Sequence, residues 1–148
     1  MKKYLAYGAN MSVEMMSRRC PKSKFVGTGT LKNFRLMFKG EQPSSYGTIE
    51  PWEGFCVPFV LWDISAADEK SLDRYEGYPR VYQKHTVEVE VNGEKFKAMY
   101  YSKPDTERVN PPSLHYVDVL WQAYERFGFD LAILQRDRKS TRLNSSHD

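Results

Sequence analysis

Thr86-Val87-Glu88-Val89-Glu90-Val91-Asn92-Gly93, followed by residues 94–101, is the stretch on which the fold class turns. Valine alternates with Thr or Glu through its first six residues, the period-two pattern of a half-buried strand. Asn92-Gly93 then separates two such runs. A two-residue type I′ turn needs positive φ at both central positions, and Asn-Gly tolerates it, so the segment reads as a β-hairpin. Upstream, Lys3-Tyr4-Leu5-Ala6-Tyr7 reads as a short strand ended by Gly8-Ala9-Asn10. Ser12 is placed to cap a short helix through Met15 and Met16 that Pro21 stops. Residues 24–31 and 34–39 are strand-like, with Lys32-Asn33 between them. Residues 46–50 and 56–63 form two further strands, the second brought near an edge by Pro58.

Helices are fewer. Ser65-Ala66-Ala67-Asp68 resembles a capping box with Asp in place of Glu, opening a helix towards Tyr75 with Gly77 as its stop. Ser113 caps a helix whose Val117, Leu120, Trp121 and Tyr124 share one face, Gly128 ends it, and Asp130 opens a last short helix. Six or seven strands with few, irregularly placed helices and no internal repeat imply the α+β class rather than a doubly wound sheet.

The chain has 148 residues, with 22 Lys and Arg against 19 Asp and Glu. That length suits one domain. A net charge of +3 is too small to make nucleic acid the main partner. No apolar run approaches the ~18 residues of a membrane span. The run after Lys2 and Lys3 ends at Gly8 and Asn10, too short for a signal-peptide core. Cys20 and Cys56 make no disulfide framework, so a reducing, cytoplasmic setting is expected. Residues 139–148 hold one large apolar residue and no period, so they are expected to be a disordered tail. They resemble cloning or adapter read-through, with a basic tail for an acidic partner as the alternative. The domain is then residues 1–138.

Metal chemistry finds no support, because His85, His115 and His147 lack partners at ligand spacing. Cys56 lies in an apolar strand, which keeps a thiol inert; Arg18 and Arg19 could lower the pKa of Cys20, but no histidine is placed to serve it. Gly27-Thr28-Gly29-Thr30 lacks the third glycine of a phosphate loop and is better read as close backbone packing. Two features rise above this background. Tyr7-Gly8-Ala9-Asn10 is a small-residue turn whose N–H groups could cradle a carboxylate or an oxyanion, although its spacing alone favours a plain β-turn. Glu76 stands at the C-terminal end of its helix among Tyr75, Tyr78 and Tyr82. The helix dipole and aromatic burial would both push its pKa up, towards a general acid/base; a solvated helix-end glutamate is the bland reading.

In this order, Tyr7-Gly8-Ala9-Asn10, Arg19-Cys20-Pro21, Gly47-Thr48-Ile49, residues 72–77 with Glu76-Gly77, Tyr82, the hairpin and residues 112–116 resemble the gamma-glutamylcyclotransferase family over roughly residues 3 to 130. Ala9 stands where the family pattern usually has Ser; backbone N–H groups need only a small residue there. The resemblance implies a small mixed β-barrel with flanking helices and a cavity at one end. It implies cofactor-free cyclisation of a small γ-glutamyl substrate to 5-oxoproline, with release of the linked amine or amino acid. Glu76 would be the acid/base, the turn at Gly8, Ala9 and Asn10 would face the oxyanion, and Tyr7, Tyr82 and Tyr116 would line the site with phenols available to bind the substrate's α-carboxylate. A non-catalytic metabolite-binding protein on the same fold is the alternative, and a protein–protein module using surface aromatics is a weaker one.

Overall fold

A computed structural model describes residues 1–41 and 45–135. The expected tail at 139–148 lies outside the described residues. Five strands form one sheet: β1 (Lys2–Ala6), β2 (Lys24–Lys39), β3 (Tyr46–Ile64), β4 (Gln83–Val91) and β5 (Glu94–Ser102), in the order β2-β3-β1-β5-β4. β1 is the axis, antiparallel to β3 and parallel to β5. Helix α1 (Val13–Arg19) follows a single 3-10 turn at Ala9–Met11, α2 (Ala66–Glu76) links β3 to β4, and α3 (Leu114–Phe127) follows the sheet. Residues 131–135 form a last short helix. Among the described residues no helix is long and apolar enough to cross a membrane.

The local signals act as read. Asn92 (φ 52°) and Gly93 (φ 81°) make the turn between β4 and β5. Ser12, Ser65 and Ser113 accept from Met15 N–H, Asp68 N–H and Tyr116 N–H. Asp68 Oδ2 accepts from Ser65 N–H in return (3.1 Å), completing the capping box. Gly77 and Gly128 close their helices in the left-handed region. Val117, Leu120 and Tyr124 bury the expected face of α3.

Two expectations are corrected. The short strands foreseen at 24–31 and 34–39 are one strand, and so are those at 46–50 and 56–63. Asn33 takes a positive φ of 62° inside β2, where its side chain accepts from Gly54 N–H (3.1 Å). A residue type that normally signals a turn is absorbed as a bulge, and residues 52–55 fall between the paired positions Pro51 and Cys56. Pro58 sits two positions past the last β1 partner, Val60, where β3 has only β2 beside it. The sheet is also open rather than a closed barrel, because β2 and β4 remain unpaired edges.

Those edges nevertheless touch. A Cβ on Gly29 would stand 2.6 Å from Phe59 Cζ and 2.9 Å from the Glu90 carbonyl oxygen, and one on Gly27 would stand 2.6 Å from Val91 Cγ1. The Gly-Thr-Gly-Thr run is therefore a packing device that lets the curled sheet bring its edges together. Around Leu5, Met11, Met16, Phe38, Phe59, Leu61, Leu72 and Leu120, all fully buried, the sheet and helices close one core. Gly29→Ala should lower stability by about 1–3 kcal/mol through overpacking, read from the midpoint of urea unfolding.

Candidate active site

β1 ends at Ala6, and the chain turns through Gly8 into the 3-10 turn, with Gly8 O accepting from Met11 N–H (3.0 Å) and Ala9 O from Ser12 N–H (3.1 Å). Ala9 and Asn10 therefore carry the leading N–H groups of that turn, which no intrahelical bond uses. Beside this turn lies a cavity of about 310 Å³. Tyr7, Gly8, Ala9, Asn10, Glu76, Tyr82 and Tyr116 all line it, so residues from four parts of the chain converge on one space. Sequence reasoning gave no site role to the further lining residues Tyr4, Tyr46, Arg74, Val81 and Tyr101. Arg74 stands inside the helix-end stretch already singled out. Tyr4, Tyr46 and Tyr101 come from strands, where a tyrosine that lines a cavity has the same local pattern as one in the core.

The walls are cross-linked through their hydroxyls. Tyr7 Oη donates to the Tyr101 carbonyl (2.7 Å) and Tyr82 Oη to the Gly47 carbonyl (2.9 Å). Tyr101 Oη donates to Asp73 Oδ1 (2.6 Å). Tyr116 differs: its Oη accepts from Gly47 N–H (3.1 Å), which leaves its own hydrogen available. Cβ atoms on Gly8 and Gly47 would come within 3.0 Å and 2.9 Å of that oxygen, so both glycines make room for it. Burial raises all four phenols above their ordinary value, so they are neutral donors at physiological pH.

Asn10 is buried, and both its side chain and its carbonyl are bonded. Its Oδ1 accepts from Arg19 Nη1 (2.5 Å), its Nδ2 donates to Tyr4 Oη (3.0 Å), and its carbonyl accepts from Trp62 Nε1 (3.0 Å). The guanidinium of Arg19 also lies over the Tyr75 ring, 3.4 Å from its centroid. One arginine thus ties the turn to the end of α2 that carries Glu76.

Glu76 contrasts with this network. Among the described residues its carboxyl makes no hydrogen bond or ion pair. Burial pushes its pKa up from 4.5 to about 7, against the pull of Arg19 and Lys103. The sequence pointed to the upward direction, but the main cause is desolvation in the cavity. For Cys20 the expected direction is reversed: burial, then the nearby Asp68, raise its thiol to about 11 despite Arg19. Among the described residues no group of three or more His, Cys, Asp and Glu side chains could hold a metal ion.

The family model described as "Gamma-glutamyl cyclotransferase, AIG2-like" matches residues 4–123, and the chain belongs to that family. A solved structure named "Gamma-glutamyl cyclotransferase" is similar at 24% identity and a TM-score of 0.82, covering 93% of this chain and 86% of its own. An uncharacterized protein from Homo sapiens is similar at 25% identity and a TM-score of 0.81, over 93% and 86%. YkqA from Bacillus subtilis shares the fold at 19% identity and a TM-score of 0.79, over 95% of this chain but 54% of its own. Among curated proteins, none matches significantly.

Two outcomes follow from the electrostatics. The folded state holds the Glu76 proton more tightly than the unfolded chain. Its contribution is therefore fully present below pH 4.5 and is lost as pH rises towards about 7. The loss is on the order of 3 kcal/mol. Glu76→Gln should remove that decline and leave the variant more stable than the parent at pH 8, checked by urea unfolding across pH. Arg19→Met should move the Glu76 titration above 7, checked by carboxyl ¹³C NMR.

Proposed function

We propose that the protein cyclises a γ-glutamyl compound to 5-oxoproline with release of its amine, using Glu76 as general acid and base. The observation that carries this reading is a half-buried carboxyl that faces the same cavity as the turn at Ala9 and Asn10, has no hydrogen-bond or ion-pair partner among the described residues, and is pushed up to about 7 by desolvation.

The substrate's α-amine is mostly protonated at neutral pH and cannot attack. The ionised Glu76 carboxylate takes a proton from the ammonium, and the freed lone pair attacks the γ-carbonyl carbon. A C–N bond forms and the carbonyl oxygen becomes an oxyanion, which the Ala9 and Asn10 N–H groups face. Attack leaves the ring nitrogen as a cationic NH2+. Glu76 gives its first proton to the leaving nitrogen, the original C–N bond breaks with its electron pair on that nitrogen, and the carbonyl reforms. The regenerated carboxylate then takes the second proton from the ring nitrogen and passes it to the released amine. Two protons thus pass in turn from the attacking to the leaving nitrogen through the one carboxyl, and a pKa near the operating pH suits both halves of that role.

The tyrosines give the pocket shape. Tyr7 and Tyr82 already donate to backbone carbonyls, so their rings serve as walls, whereas Tyr116 keeps a hydrogen for the substrate's α-carboxylate. Ring closure requires a folded substrate, and a tight cavity lowers the entropic cost of that conformation. Ala9 fits because the turn acts through its backbone.

Incubation with γ-glutamyl amino acids and γ-glutamyl amines should yield 5-oxoproline, detected by mass spectrometry. Catalytic efficiency should rise with pH through a limb near 7, as Glu76 ionises. Glu76→Gln should lose about 10²–10⁴-fold in kcat while remaining folded. Undiminished turnover in that variant would remove Glu76 from the mechanism.

A further inference from the structure

The inner and outer parts of the cavity differ in chemistry. Tyr4, Tyr7, Tyr82 and Tyr101 are buried, whereas Tyr46, Tyr75 and Val81 are exposed at the mouth. Arg74 and Glu76 are the two charged residues of the lining. Glu76 is inside; Arg74 is exposed, and its guanidinium has only a weak contact, Nη2 to Ser71 Oγ at 3.5 Å. Among the described residues no carboxylate pairs with it.

Exposed tyrosine rings could instead suggest a site for an ammonium ion, which binds aromatic faces. Here the protein's own cations already take such faces. Arg19 lies on Tyr75 at 3.4 Å, and Lys103 Nζ stands 6.0 Å from the centroid of Tyr46. Just outside, Lys84 Nζ lies 4.4 Å from the centroid of Tyr78. Lys84 is balanced by Glu69 and Asp73, but Arg74 is not balanced in this way. The mouth is therefore an apolar rim of positive sign.

We propose that Arg74 is a specificity-determining residue, selecting substrates whose leaving amine carries a carboxylate beside an apolar body and disfavouring those whose leaving group is a second cation. The inference rests on the reaction proposed above. With the reacting γ-carbonyl between Glu76 and the Ala9–Asn10 turn, the leaving nitrogen points to the mouth, because the inner walls are closed by tyrosines. A carboxylate on the carbon bearing that nitrogen then reaches the planar guanidinium, which can bind both its oxygens, while the apolar body lies against Tyr75 and Val81.

Three probes are compared: γ-glutamyl-L-phenylalanine; γ-glutamyl-phenethylamine, which differs from it only in lacking the carboxylate; and γ-glutamyl-1,4-diaminobutane, whose aliphatic leaving group ends in an ammonium. The parent enzyme should prefer the first to the second about tenfold in kcat/KM, and the third should be poorest. Arg74→Gln should bring the first ratio close to one, and Arg74→Glu should raise the rank of the diamine derivative. The same order should appear in the Kd values of the intact compounds for Glu76→Gln protein, measured by calorimetry. That measurement separates the two readings, since absent turnover strikes the reaction while the Kd order tests the selectivity alone. Equal kcat/KM or Kd for the first two probes, or a preference that survives Arg74→Gln, overturns the proposal.

Discussion

Everything at the site depends on β1 being held from both sides. It pairs with β3 along its whole length and with β5 in parallel, so its end cannot shift without breaking the centre of the sheet. The turn after Ala6 is thereby delivered to a fixed place. Trp62, opposite Tyr4 in that same β1–β3 pairing, reaches across to hold the Asn10 carbonyl. The ladder that stabilises the sheet and the bond that orients the turn are contributed by neighbouring residues of one strand.

Around that axis the protein treats its polar groups in two ways. Most are consumed. The Tyr7, Tyr82 and Tyr101 hydroxyls all donate within the fold, and Asn10 is bonded through its side-chain oxygen, side-chain nitrogen and carbonyl. Such bonds offset the cost of burying polar atoms and leave walls that cannot easily reorganise. Glu76 is the exception. A half-buried carboxyl without a partner among the described residues is costly once ionised, and that cost is what moves its titration to near neutrality. The same desolvation that makes the group useful makes it a burden on folding at higher pH.

The chain belongs to the gamma-glutamyl cyclotransferase, AIG2-like family, and the cyclisation proposed above, being internal to one substrate, would ask little of the protein beyond shape, one proton carrier and donors for a transient charge. The open sheet serves the same end. Its edges approach at Gly27 and Gly29 without forming a ladder, while the long β2–β3 hairpin brings Tyr46 and Gly47 to the cavity.

The sequence by itself determined what depends on a few consecutive residues. Ser12, Ser65 and Ser113 cap helices, Asn92-Gly93 turns the hairpin, and Gly77 and Gly128 end helices, because each effect is decided by backbone geometry within about four positions. It also marked Tyr7–Asn10 and Glu76 as exceptional, through a turn and a helix end that are themselves local. Asn33 shows where such reading stops: its positive φ became a bulge inside a long strand because Gly54, far along the chain, supplied the bond it needed. Tertiary structure alone decided that the sheet stays open, that burial lifts the Glu76 carboxyl against the pull of Arg19 and Lys103, and that Tyr116 keeps the hydrogen which Tyr7 and Tyr82 have given away. Each of these is set by groups distant in sequence, whose meeting depends on how β1, α2 and α3 pack and not on any spacing along the chain.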